Sequence, residues 1–169
     1  MMLQRFILVL LLLFAALQIA HFYPLLPDTV ASHWNGAGAP NGGMPRGPFV
    51  GIYAGVLAFM AFMFNALPGS IMKYPDARIN LPNKQYWLAP ERRARTGEVI
   101  ARYMVEAGNA TIVLLLVVFH FALAANTTEK RALPENFWLV IVAFAGYMVV
   151  WMARFVGAFR LPPGAKPPF

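Results

Sequence analysis

Four long apolar runs, at roughly residues 6–23, 49–67, 104–125 and 137–158, constrain this chain more than any other feature. Each is close to the roughly 20 residues that a helix needs to cross a hydrocarbon core about 30 Å thick. A soluble core of 169 residues has no use for four of them. Charge is correspondingly scarce, at 12% of residues, where a soluble domain carries about 25%. The expectation is an all-α integral membrane bundle of four transmembrane helices forming one domain over 1–169. A turn-rich loop spans 24–48, a second loop spans 68–103, and a Pro-rich, extended, flexible tail spans 160–169.

Arg5 before the first run imitates a secretory signal, but Gln18-Ile19-Ala20-His21-Phe22 offers no small-x-small cleavage site. The run reads as an uncleaved anchor. Orientation follows from the 14 Lys and Arg. With the N-terminus in the cytoplasm, Arg5, Lys73, Arg78, Lys84, Arg92, Arg93, Arg95, Arg102, Arg154, Arg160 and Lys166 all fall inside. Only Arg46, Lys130 and Arg131 fall outside. Both termini are therefore expected in the cytoplasm, and the net charge of +7 points to anionic lipid headgroups rather than nucleic acid. The Asn126-Thr127-Thr128 sequon lies on the outer side and would matter only in a eukaryotic secretory pathway.

With no cysteine, disulfides, thiolate metal sites and thiol nucleophiles are excluded. No GxSxG, Walker loop, HExxH or GxGxxG pattern is present, and no span carries a pair of carboxylates. The first reading is therefore non-enzymatic, and a metal-dependent membrane enzyme or metal carrier using His21, His33 and His120 is a further alternative.

The loop after the first run contains two Asn-Gly steps and a Pro-Asn-Gly-Gly cluster. These call for positive φ at several positions and so for tight turns. Residues 29–34 are β-branched, small or aromatic and suit a short extended arm, with Val30 and Trp34 turned toward the membrane surface. One reading is an interfacial loop in which Tyr23, Trp34 and Phe49 join the aromatic belt. The other is a recognition surface.

Pro27, Val30-Ala31-Ser32-His33-Trp34-Asn35, Gly38, Pro40, Asn41 and Gly42 resemble the LPxxVPxHFNxxGxPDGW signature of a bacterial membrane domain of unknown function. That domain opens the SdpI-type toxin-immunity and signal-transducing proteins, where the motif also sits between the first two spans. The segment 79–93 resembles one found in short, four-span members. The resemblance implies a bacterial cytoplasmic membrane location. It also implies a module that binds or senses a protein or peptide partner at the outer face through Pro27, Val30, His33, Trp34, Asn35, Gly38, Pro40, Asn41 and Gly42.

Pro90 suits the first turn of a helix continuous with the third span, and Glu91, Arg95, Glu98, Arg102 and Glu106 form one charged stripe along it. Opposite charges would support its exposed turns; the alternative use is a docking face for a cytosolic partner. Tyr86 and Trp87 are expected to seat the preceding loop in the headgroup layer.

Ionisable groups in hydrocarbon are costly, about 2.5–3.5 kcal/mol each on insertion scales. Counting along the spans places Asn65, Glu106, Asn109 and Arg154 near the cytoplasmic side. An ion pair between Glu106 and Arg154, flanked by the two asparagines, is one reading; an Arg154 that snorkels to phosphate is the other. Gln18, His21 and His120 lie near the outer side, with His33 in the loop. Three imidazoles could hold Zn²⁺, with Asp28 as a further ligand or an orienting partner. No HxxxH or HxxE spacing accompanies them, and packing histidines are the competing reading. Gly51 and Gly55 form GxxxG in the second span and, with Gly108, Ala110 and Gly146, suit close helix contact within the bundle, in a homo-oligomer or in a larger membrane complex. An accessory subunit is thus a further alternative function, with the Gly51/Gly55 face and the surface from Lys84 to Arg102 as its contacts.

Overall fold

A computed structural model describes residues 2–165. Lys166 and the last residues of the tail lie outside the described residues. Four helices are long and apolar enough to cross a membrane, and the chain is a multi-pass membrane protein. Helix α1 covers Met2–Phe22, α2 Arg46–Ala61, α4 Pro90–Asn126 and α5 Trp138–Ala158, with a short α3 at Lys84–Trp87. Strands β1 (Thr29–Trp34) and β2 (Pro40–Pro45) lie between α1 and α2. The described ends of the chain are on one face of the bundle, here the terminal face. The strands and the α4–α5 loop are on the other, the hairpin face.

The apolar surface is inverted relative to a soluble protein. Phe6, Val9, Leu13, Leu17, Val142 and Val149 are each more than half exposed, as residues facing lipid tails must be. Helix α4 is the spine, in contact with α1, α2 and α5. Its 37 residues extend about 55 Å at 1.5 Å per residue, well beyond a hydrocarbon core. The excess is its first turns, which Pro90 opens without wasting an amide, because the first N–H of a helix has no partner in any case.

Two cores result. One lies under the hairpin, where Phe22, Val30, Phe49, Tyr53, Ile112 and Leu123 pack together. The other lies at the terminal face, where Ile79, Leu81 and Leu88 of the α2–α4 connection close over Ile100 and Phe159. Span two ends in a π turn at Phe62–Ala66, which lets Phe64 press on Gly108; a Cβ at Gly108 would stand 2.2 Å from the Phe64 Cβ. Gly51, Gly55 and Gly146 meet nothing within 4 Å. The expected close packing is therefore at Gly108, and the GxxxG pair makes none among the described residues.

Among the described residues the charged stripe on α4 forms no ion pair between its own members, and only its Glu106 pairs at all, with Arg154 of α5. The stripe's neighbour Arg93 binds Asp76 and donates to the carbonyls of Met72 and Tyr74, while Arg92 donates to the Tyr86 carbonyl and covers its ring. Trp87 Nε1 and Asn83 Nδ2 both donate to the Phe159 carbonyl, at 2.8 and 2.9 Å. Tyr86 and Trp87 thus tie the connection to α4 and to the end of α5.

Candidate functional site

The hairpin is built by pairing Thr29 with Pro45 and Val30 with Met44, with irregularities around His33. Strand β2, Pro-Asn-Gly-Gly-Met-Pro, has poor intrinsic β propensity. Tertiary contacts hold it: the Arg46 N–H donates to the Asp28 carbonyl at 3.0 Å, and the Arg46 guanidinium donates to the Leu26 carbonyl and pairs with Asp28 at 3.4 Å.

The free edge of β1 is closed by a side chain. Asn126, at the end of α4 and 2% exposed, accepts from the Ala31 N–H at 2.6 Å and donates to the Ala31 carbonyl at 2.9 Å. It also donates to the Ala122 carbonyl. One amide thus imitates a third strand and satisfies two buried backbone groups. In the folded chain the amide of the sequon is thus fully engaged in structure. Arg131 adds a bond to the Thr29 carbonyl, and Trp34 Nε1 donates to the Arg131 carbonyl at 2.7 Å.

Most of the motif residues shape this hairpin. Val30 is fully buried in the core and Trp34 packs beside it, so both turn into the bundle rather than onto the membrane surface. Phe49 is likewise core, not belt. Asn35 Oδ1 accepts from the N–H groups of Ala37 and Ala39. In the connecting loop, positive φ occurs at Gly38 alone, at +77°, where a Cβ would stand 2.9 Å from the Leu133 carbonyl oxygen. The Leu133 N–H donates to the Gly38 carbonyl and Trp138 Nε1 to the Gly36 carbonyl. A Cβ at Gly42 would touch the His33 ring. Pro27 is half-buried, whereas His33, Asn35, Pro40 and Asn41 face outward. A notch of about 160 Å³ opens between Gly36–Gly38 and Leu133–Trp138.

The three histidines are not brought together. His33 shares a hydrogen bond with Ser32, and His21 and His120 each pack edge-on with the Phe22 ring. Among the described residues no three His, Cys, Asp or Glu side chains converge as metal ligands. Gln18 has a different partner set: it donates to the Leu116 carbonyl and accepts from the Tyr53 hydroxyl, joining α1, α2 and α4.

Toward the terminal face, Arg154 Nη1 donates to Glu106 Oε1 at 2.6 Å. The flanking group is Tyr147, whose hydroxyl donates to the same oxygen at 3.2 Å; the asparagines do not complete the pair. Asn109 turns to α1 and donates from Nδ2 to the Gln4 carbonyl at 3.0 Å. Asn65 sits in the π turn with both amide atoms buried and, among the described residues, unpartnered. Sequence reasoning missed Asn126 and Tyr147. Asn126 was masked by its sequon, and the signal for Tyr147 was its position two turns before Arg154 on one face of α5.

No curated protein and no solved structure matches this chain. Residues 9–58, under a third of the chain, are similar to the family model described as a domain of unknown function (DUF1648), a stretch that takes in most of α1, the whole hairpin and most of α2.

Proposed function

We propose that this small membrane protein is an SdpI-like recognition module of the bacterial cytoplasmic membrane. Its hairpin faces outward and binds a peptide or protein partner, in an immunity or signalling role. The observation that carries the reading is the attachment of the hairpin to α4 through Asn126. The helix that holds the outward surface runs without a break to the segment that Arg92 and Arg93 lock against the α2–α4 connection. A displacement at the hairpin would thereby be passed to the opposite face as motion of one rigid rod. His33 and Asn41, exposed on the rigid frame, are the contact residues, and the notch beside Gly38 is suited to a small side chain of the partner. Positive-inside bias supports the orientation.

Photo-crosslinking in living cells tests this. A benzoylphenylalanine at Asn41 should give a discrete adduct that the same group at Val149, on the lipid face, does not. His33→Ala should abolish the adduct formed from position 41, and His33→Ala with Asn41→Ala should abolish complementation of a deletion strain. No adduct, together with full complementation by the double variant, refutes the reading.

A further inference from the structure

Helices α1 and α5 both pack on α4 but leave a gap between them. The gap is a crevice of about 560 Å³ with an almost wholly apolar lining. Along α4 it runs from Glu106 to Val117, a length of about 16 Å at the helical rise. That is about half of a 30 Å hydrocarbon core, the depth of one leaflet. The crevice is therefore the length of an acyl chain entering from the terminal face.

Its polar end is specific. Asn109 lines it and is 8% exposed. Nδ2 is fixed by the Gln4 carbonyl, which can only accept, and Oδ1 is left buried without a partner among the described residues. An orphaned acceptor in a dry site costs about 1–3 kcal/mol, and an incoming hydroxyl or amide N–H would recover it. One turn nearer the terminal face, Glu106 is held by Tyr147 and Arg154. The Arg154 side chain is 53% exposed, which leaves guanidinium donors free at the mouth for an anion. In order of depth the site presents a cation, then an acceptor, then an apolar channel.

We propose that this crevice binds a single-chain phospholipid: the acyl chain lies between α1 and α5, the free glycerol hydroxyl donates to Asn109 Oδ1, and the phosphate pairs with Arg154. A diacyl lipid carries an ester at the hydroxyl position and has no donor there. The site is independent of the hairpin and of what the hairpin binds.

The test is a native mass-spectrometric titration of the full chain in detergent with lysophosphatidylcholine, whose only donor is that hydroxyl. Its 2-deoxy analogue and a diacyl phosphatidylcholine serve as comparisons. The expected result is one tightly bound lysolipid per protein. The deoxy analogue should bind about tenfold more weakly, the worth of one hydrogen bond. Asn109→Leu should bind the two single-chain lipids equally, and Arg154→Gln should weaken both. The chain has no cysteine, so Val113→Cys in the crevice can be blocked with a bulky maleimide. That should abolish binding, whereas the same block at Val149→Cys on the lipid face should not. The proposal is overturned if wild-type protein binds lysolipid, deoxy analogue and diacyl lipid alike, if it binds none of them, or if blocking position 113 changes nothing.

Discussion

Replacing Asn126 with leucine removes the clamp between hairpin and spine while keeping nearly the same volume. The Ala31 N–H and carbonyl, at a residue 5% exposed, would each lose a bond now made at 2.6 and 2.9 Å. Stranding a buried backbone group costs about 1–3 kcal/mol, so the two together cost about 2–6 kcal/mol, unless the hairpin lifts and lets water reach them. Lifting breaks far less of the fold than unfolding does, and local opening takes the lowest route available. The variant should therefore fold but open at the hairpin. Because about 1.4 kcal/mol is a factor of ten, even the lower bound predicts at least about 30-fold faster amide exchange over residues 28–45. Protection in α2 and in the second half of α5 should not change. Hydrogen–deuterium exchange read by mass spectrometry in micelles resolves this. Hairpin exchange within about threefold of wild type would refute the argument that the Asn126 amide is the third strand.

Other substitutions have equally definite outcomes. Gly38→Ala puts a side chain at φ +77° and against the Leu133 carbonyl. It should cost at least the ~1–2 kcal/mol of a left-handed residue, whereas Gly36→Ala, with nothing within 4 Å, should fall within about 0.5 kcal/mol of wild type; thermal melts followed by tryptophan fluorescence compare them. Gly108→Val drives into Phe64 and should lower the melting temperature, with an overpacking cost of about 1–3 kcal/mol, whereas Gly51→Val, open to lipid, should not. Arg154→Gln should reduce the yield of folded protein more than Glu106→Gln. The half-exposed guanidinium can reach lipid phosphate when left alone, but the carboxylate, 24% exposed, cannot reach water as easily. Size-exclusion yield in detergent ranks the two, and the opposite order would contradict the assigned depths.

The spans were legible because 20 apolar residues in a row have few other uses, and β1 was legible because Thr29, Val30 and Trp34 favour extended backbone. Strand β2 was not, since Pro40, Gly42, Gly43 and Pro45 disfavour a strand and only the Arg46–Asp28 contacts and the β1 partner impose it. The Asn-Gly steps overstated the need for positive φ, because a single Asx turn at Asn35 bends the chain with only Gly38 left-handed. At the candidate sites, residue type and depth brought Glu106 and Arg154 to the right level but could not supply the rotation about each helix axis. That rotation brings in Tyr147 and sends Asn109 to α1. The histidines illustrate the same limit: equal depth set His21 and His120 against one Phe22 ring but brought no three ligands together among the described residues.

The central claim is that an outward hairpin rides on a helix whose far end lies in the cytoplasm. The absence of cysteine allows it to be tested with single probes, Asn41→Cys on the hairpin and Glu91→Cys at the start of α4. In intact spheroplasts a membrane-impermeant maleimide should label Asn41→Cys at once and Glu91→Cys only after lysis. Labelling of Glu91→Cys before lysis, with Asn41→Cys protected, would contradict it.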